Sequence, residues 1–283
     1  MSLVQTLSGS SWMKWNALRR SFGRIFGVGA LFLFLPFVAC ASEGGGWRES
    51  KSEHFEVFYN KAPDYFVKSV IREAEAIYRR TTYSLGFTRS KGWIAGDQVR
   101  IYIFDGSKEY SRASGLPWSG ASVSVAQRTI KTFPSANGFF DSTLPHELGH
   151  IVFRDFVGFN ADIPLWLDEG VAVYQEQSGR LGADQAVRAA LKSGKFIPLG
   201  DLGQTRIDRS FPNGRIKLAY AESASVVAYL IDHGETYRFV RFCRELKDGR
   251  RFDWALNKAY MKFKNISDLE QAWKDAVLNG SDR

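Results

Sequence analysis

Residues 146–150 read His-Glu-Leu-Gly-His, and two of the chain's four histidines fall in this five-residue stretch. On a helix, residues four apart differ by only about 40° in projection and sit one turn apart along the axis, so both imidazoles point the same way. Two nitrogens so placed can occupy adjacent corners of a tetrahedral zinc site. Glu147 projects roughly 100° away, which leaves it free to face a metal-bound water rather than to be a ligand. Gly149 permits a neighbouring element to approach closely.

A third ligand stands beyond His150 with eighteen residues between them. Glu169 lies in Pro164-Leu165-Trp166-Leu167-Asp168-Glu169-Gly170-Val171-Ala172, where Trp166, Gly170, Val173 and Tyr174 share its face at helical spacing. Such a helix packs inward and carries its carboxylate with it, and a metal removes the cost of burying that charge. The preceding Asp168 could orient a ligand histidine from behind. From about Leu144 to Glu176 the chain resembles the gluzincin metallopeptidases, and most of all the extracytoplasmic peptidase MA-like group, whose second helix supplies a glutamate ligand from Trp-Leu-x-Glu-Gly. The resemblance implies one zinc per chain held by His146, His150 and Glu169. Three protein ligands leave one position open, zinc lowers the pKa of its water to about 7, and Glu147 takes that water's proton and passes it to the leaving amine.

The tetrahedral oxyanion needs a further donor. Gluzincins often use a Tyr or His from later in the chain, and Tyr220, in Tyr220-Ala221-Glu222-Ser223, resembles that feature by position. It is equally in register with Ala224, Val227 and Ile231, as a core tyrosine would be. The related aminopeptidases carry Gly-Ala-Met-Glu-Asn on a strand before the zinc helix, and its glutamate binds the substrate's free amine. This chain has Gly120-Ala121-Ser122-Val123-Ser124 in a comparable place. The acid is missing, so endopeptidase action on a peptide or protein is favoured, with an extended substrate adding to a sheet edge. Hydrolysis of a non-peptide amide, or a non-proteolytic cell-envelope binding or assembly role with a retained zinc site, are the alternatives.

The elements that must position these residues are legible from periodicity. Phe55–Tyr59 and Val99–Phe104 alternate as strands. Between them Val67, Val70, Ile71, Ala74, Ile77, Tyr78 and Leu85 recur at helical spacing, from Pro63 to Gly86. Gly115–Gly120, with Pro117 and Trp118, reads as a loop, and Ala121–Phe133 as a further strand region. After Asp141 helices are expected at about 142–157, 165–177, 183–193, 217–233, 235–247 and 267–278, punctuated by Gly158, Pro164, Gly194, Pro198, Pro212 and Gly234. The fold class is therefore α+β: a small N-terminal α/β part with a mixed sheet over 51–140, a mostly helical zinc-binding part over 141–283, and the active site in the cleft between them.

With 45% hydrophobic and 14% aromatic residues, the chain can build a sizeable core. Half of its net charge of +8 comes from Lys14, Arg19, Arg20 and Arg24, and the rest is too mild and scattered to suit nucleic acid. Arg19, Arg20 and Arg24, the apolar run Ile25–Val38 and the small residues Ala39-Cys40-Ala41 read as an export signal over 1–41, followed by a linker over 42–50. Two processing outcomes stay open: cleavage after Ala41, or, by resemblance to bacterial lipoprotein signals, lipidation of Cys40 and attachment to a membrane. Either places the protein outside the cytoplasm, in the periplasm or at the cell surface. Either also leaves Cys243 as the single internal thiol, a buried small hydrophobe with no disulfide partner. His54 and His233 are expected to be structural, and Trp254 and Trp273 to pack the core.

Overall fold

The computed structural model describes residues 46–87, 97–115, 120–204 and 213–280; the export signal, Cys40, the Pro117-Trp118 loop and Pro212 lie outside them, as does the side chain of His233. Five strands form one mixed sheet in the order β1-β2-β3-β5-β4: β1 Arg48–Lys51, β2 Phe55–Tyr59, β3 Val99–Ile103, β4 Ala121–Ser124 and β5 Thr129–Thr132. Helix α1, Asp64–Ser84, carries the crossover between the parallel strands β2 and β3. β3 and β5 are also parallel, whereas β1 and β4 pair antiparallel at the two edges. The register aligns Val57 with Ile101 and Ile101 with Ile130, so one face of the sheet presents a fully buried row. That row joins Val67, Val70, Ala74 and Ile77 of α1 in the main core.

The opposite face is aromatic. Phe58 stacks on Tyr102 at 4.9 Å, Trp47 stands edge-on to Tyr102 and Phe104, and Tyr110 of the short helix α2, Ser107–Ser114, reaches Phe104 and Phe133.

A π-turn, Phe139–Thr143, leads into α3, Leu144–Val157. There follow α4 Leu165–Gln175, α5 Gln177–Lys192, α6 Leu199–Gln204, α7 Asn213–Gly234, α8 Thr236–Lys247, α9 Phe252–Tyr260 and α10 Ile266–Asn279. The small mixed sheet followed by a mostly helical part is the expected α+β arrangement. Four elements were not expected from periodicity: β1, α2, α6 and α9.

Helix α4 is the centre of the helical part. Each of its eleven residues is buried, so it packs on all sides rather than by the single face that its sequence pattern suggests. Burying Trp166 and Leu167 completely contributes about 1.5–3 kcal/mol each. Two glycines set its distance from its neighbours. A Cβ on Gly149 of α3 would lie 2.9 Å from Ala172 Cα, and one on Gly170 would lie 2.7 Å from the Ser223 carbonyl carbon of α7 and 2.8 Å from Val227 Cγ2.

Among the other expected core residues, Trp273 is fully buried and its indole nitrogen donates to Ser225 Oγ at 3.1 Å. Trp254 is instead 45% exposed. The buried face of α9 runs through Ala255, Leu256, Ala259 and Tyr260, which puts Trp254 out of phase, under the cations of Arg250 and Lys258. Cys243 is buried, and burial pushes its thiol well above the ordinary range. His54 is structural: its Nδ1 lies 2.8 Å from Glu75 Oε2, its backbone N–H donates to Glu75 Oε1 at 2.9 Å, and its ring lies tilted against Tyr78. Among the described residues, no helix is long and apolar enough to cross a membrane.

Candidate metal centre

Helix α3 presents His146 and His150 on one face, as their spacing requires, and α4 brings Glu169 against them. The two Nε2 atoms lie 3.2 Å apart, and Glu169 Oε2 is 3.6 Å from each. Two ligands about 2.0–2.1 Å from a zinc ion at a tetrahedral angle are themselves about 3.3–3.4 Å apart, so this triangle has the dimensions that a single ion requires. Glu169 Oε2 is buried without a hydrogen-bond partner, an acceptor whose desolvation would otherwise be uncompensated. Only 11%, 10% and 6% of the side chains of His146, His150 and Glu169 is exposed. Two imidazoles and a carboxylate converging on one buried point suit zinc better than a hard, oxygen-seeking cation.

The far side of each imidazole is held by a carboxylate. His146 Nδ1 lies 2.7 Å from Glu176 Oε1, and Ser142 Oγ of the π-turn donates to Glu176 Oε2 at 2.7 Å. His150 Nδ1 lies 3.2 Å from Asp168 Oδ1, while Arg154 donates to Asp168 Oδ2 through Nε at 2.9 Å and Nη2 at 2.7 Å. These contacts place a proton on each Nδ1 and turn each Nε2 lone pair towards Glu169.

The electrostatics follow from burial and these partners. Burial opposes charge on His146 and His150, yet Glu176 beside the first and Asp168 and Glu169 beside the second outweigh it. Both imidazoles are therefore more basic than usual, His150 strongly so. Burial also opposes charge on Asp168, but Arg154 and His150 hold it far below the usual carboxylate range. Glu147, on α3 and itself buried, is raised chiefly by burial; the two histidines pull it down, and Glu169 and Glu176 push it up. A carboxylate tuned upwards is suited to accept and return a proton.

The structure thus brings together His146, His150 and Glu169, with Glu147 in the same charge cluster. Tyr220 is half-buried on α7, packed against Val173, Ala183 and Ala224. Val173 is one turn beyond Glu169, so Tyr220 borders the face of α4 that carries Glu169. The residues absent from the sequence expectations are Glu176, Ser142 and Arg154. One of them left a signal: Arg154 is four residues from His150, a spacing that returns to the same helical face. β4, which holds Ala121–Ser124, forms one edge of the sheet and pairs only with β5 among the described residues.

A family model described as the Peptidase MA superfamily matches residues 87–279, a stretch that contains all four of His146, Glu147, His150 and Glu169. No curated relative matches the chain.

Proposed function

Because the chain belongs to the Peptidase MA superfamily, we propose that it is a zinc-dependent endopeptidase that works outside the cytoplasm. The observation that carries the proposal is the convergence of His146 Nε2, His150 Nε2 and the unpartnered Glu169 Oε2 beside the buried Glu147. His146, His150 and Glu169 would hold the ion. When bound, zinc supplies Lewis-acid activation of water and of the scissile carbonyl. Glu147 accepts the proton of the attacking water and returns it to the leaving amine. Tyr220 donates to the developing oxyanion. Asp168 and Glu176 keep the imidazoles in the donor tautomer and orientation throughout.

Substrate enters as an extended chain along the outer edge of β4, where main-chain hydrogen bonds supply affinity without demanding a terminus. The residues Ser122-Val123-Ser124 offer no carboxylate to bind a free amine, which favours internal bonds over N-terminal ones. Export follows from the signal over 1–41. Mass spectrometry of the mature N-terminus decides between a start at Ser42 and a lipidated Cys40.

Replacing Glu147 with Gln tests the catalytic assignment. The variant is expected to keep one zinc per chain and to lose about 10²–10⁴-fold in cleavage of a peptide library. Undiminished cleavage overturns the assignment. Wild-type protein that holds zinc yet cleaves nothing in that library transfers the site to the non-proteolytic envelope role.

A further inference from the structure

Helix α1 buries one face in the core and turns the other to solvent, and that outer face has an ordered composition. Its exposed residues after Asp64 are Tyr65, Lys68, Arg72, Arg79, Arg80 and Tyr83. At 100° per residue these six fall within an arc of about 120°, and at 1.5 Å per residue the two tyrosines stand about 27 Å apart. The result is a single straight stripe, four cations long, with a tyrosine at each end. Tyr65 is 74% exposed and Tyr83 79%. Both are far more open than an aromatic ring that contributes to a core. The nearby acids pair with half of the row, Glu73 with Arg72 and Glu75, 3.8 Å away, with Arg79; among the described residues neither Lys68 nor Arg80 has a partner.

We propose that this face of α1 is a docking surface for an anionic phospholipid bilayer. Basic side chains beside such a surface gain favourable energy that adds from residue to residue. Tyrosine is at home where one end of a ring meets headgroups and the other meets water. A straight stripe on the outside of a helix suits a flat partner. Placement agrees with this. Arg48 Nη2 at the head of β1 pairs with Asp64 Oδ1 at the head of α1, 3.4 Å away, so the sheet edge where the described chain begins borders the start of the stripe, with Trp47 turned to the sheet's other face. Cys40 precedes Trp47 by seven residues, which span at most about 25 Å when extended. A membrane anchor at that position would hold the α1 face within reach of the bilayer. The surface is independent of the catalytic assignment, and the test below needs no enzymatic activity.

The test is tyrosine iodination of the full chain, read by mass spectrometry, on vesicles of mixed phosphatidylglycerol and phosphatidylcholine and on vesicles of phosphatidylcholine alone. Tyr237, 56% exposed on α8, is the internal control. Tyr65 and Tyr83 are expected to react at least threefold more slowly on the anionic vesicles only, with Tyr237 unchanged, and the protection to vanish in high salt as screening shortens the reach of the charges. The double variant Arg72→Glu, Arg80→Glu, at two exposed positions, is expected to lose the protection with its circular dichroism unchanged. Four results overturn the proposal: no protection, equal protection on neutral vesicles, equal protection of Tyr237, or equal protection by soluble polyglutamate, which would point to an acidic polypeptide.

Discussion

Glu176 is the most informative residue to remove, because its hydrogen bond to the site is made through His146. In Glu176→Ala the imidazole loses its 2.7 Å contact at Nδ1, and Ser142 of the π-turn loses its acceptor. Nothing then fixes which nitrogen carries the proton or which way the ring faces. Loss of such an outer carboxylate commonly weakens metal binding by about 10–100-fold, or about 1.4–2.7 kcal/mol. Zinc at a thousand times its Kd stabilises the fold by about 4.1 kcal/mol, and each kcal/mol moves the Tm of a protein of this size by about 2–4 °C. The zinc-induced rise in Tm should therefore shrink by roughly 3–10 °C relative to wild type at the same zinc concentration. Competition against a chromophoric chelator measures the affinity, and thermal unfolding with and without zinc measures the rise. Glu176→Gln keeps an oxygen acceptor for Nδ1–H but no charge, and should fall between the two. An alanine variant with wild-type affinity and an undiminished zinc-induced rise would show that His146 is oriented by helix packing alone.

Three further outcomes are expected. Gly170→Ala gains up to about 1 kcal/mol in helix propensity but forces a methyl group against the backbone of Ser223 and Val227 Cγ2. A net loss of about 1–3 kcal/mol should appear in urea unfolding, and a neutral or stabilised variant would mean that α4 and α7 part easily. Glu222 is fully buried on α7, accepting from the Ile197 N–H, and burial, reinforced by Glu270, raises its pKa to about 8. Between pH 4.5 and 8 the unfolded carboxyl is ionised while the folded one is not, so each pH unit upwards costs about 1.4 kcal/mol of stability, with no cost below that window. Glu222→Gln should remove this slope, and a stability difference from wild type that stays constant between pH 5 and pH 8 would refute the assignment. Tyr220→Phe should lower kcat by about 10²–10³-fold with KM and zinc content unchanged, and an unchanged kcat would leave Tyr220 a packing residue.

The convergence of the three candidate ligands was legible because their geometry is local. His146 and His150 need only a helix to converge, and Glu169 needs only a second helix packed against the first. Glu176 was not, because it sits at the C-cap of α4, where the chain turns at ψ 133° before α5 begins; no periodicity reports which side chain such a corner returns to the site. Strand β1 was hidden in the linker because Arg-Glu-Ser-Lys has no apolar alternation, being an edge strand that buries little. Helix α2, Ser-Lys-Glu-Tyr-Ser-Arg-Ala-Ser, is polar apart from the single anchor Tyr110. Trp254 shows the opposite failure, an apolar residue read as core where the phase of its helix turns it outwards.

Helix α4 has no solvent side, and this divides the molecule into regions of unequal freedom to change. Every position along Leu165–Gln175 touches packed neighbours, so nearly any substitution there is paid in stability before it can alter chemistry. Asp168 and Glu169 are thereby set in a frame that packing alone holds almost invariant. Strand β4 is less constrained, since only Ala121 of its four residues is buried. If substrate pairs with β4 as proposed, new preferences are most readily acquired at the rim of the sheet, while the residues of α4 stay as they are.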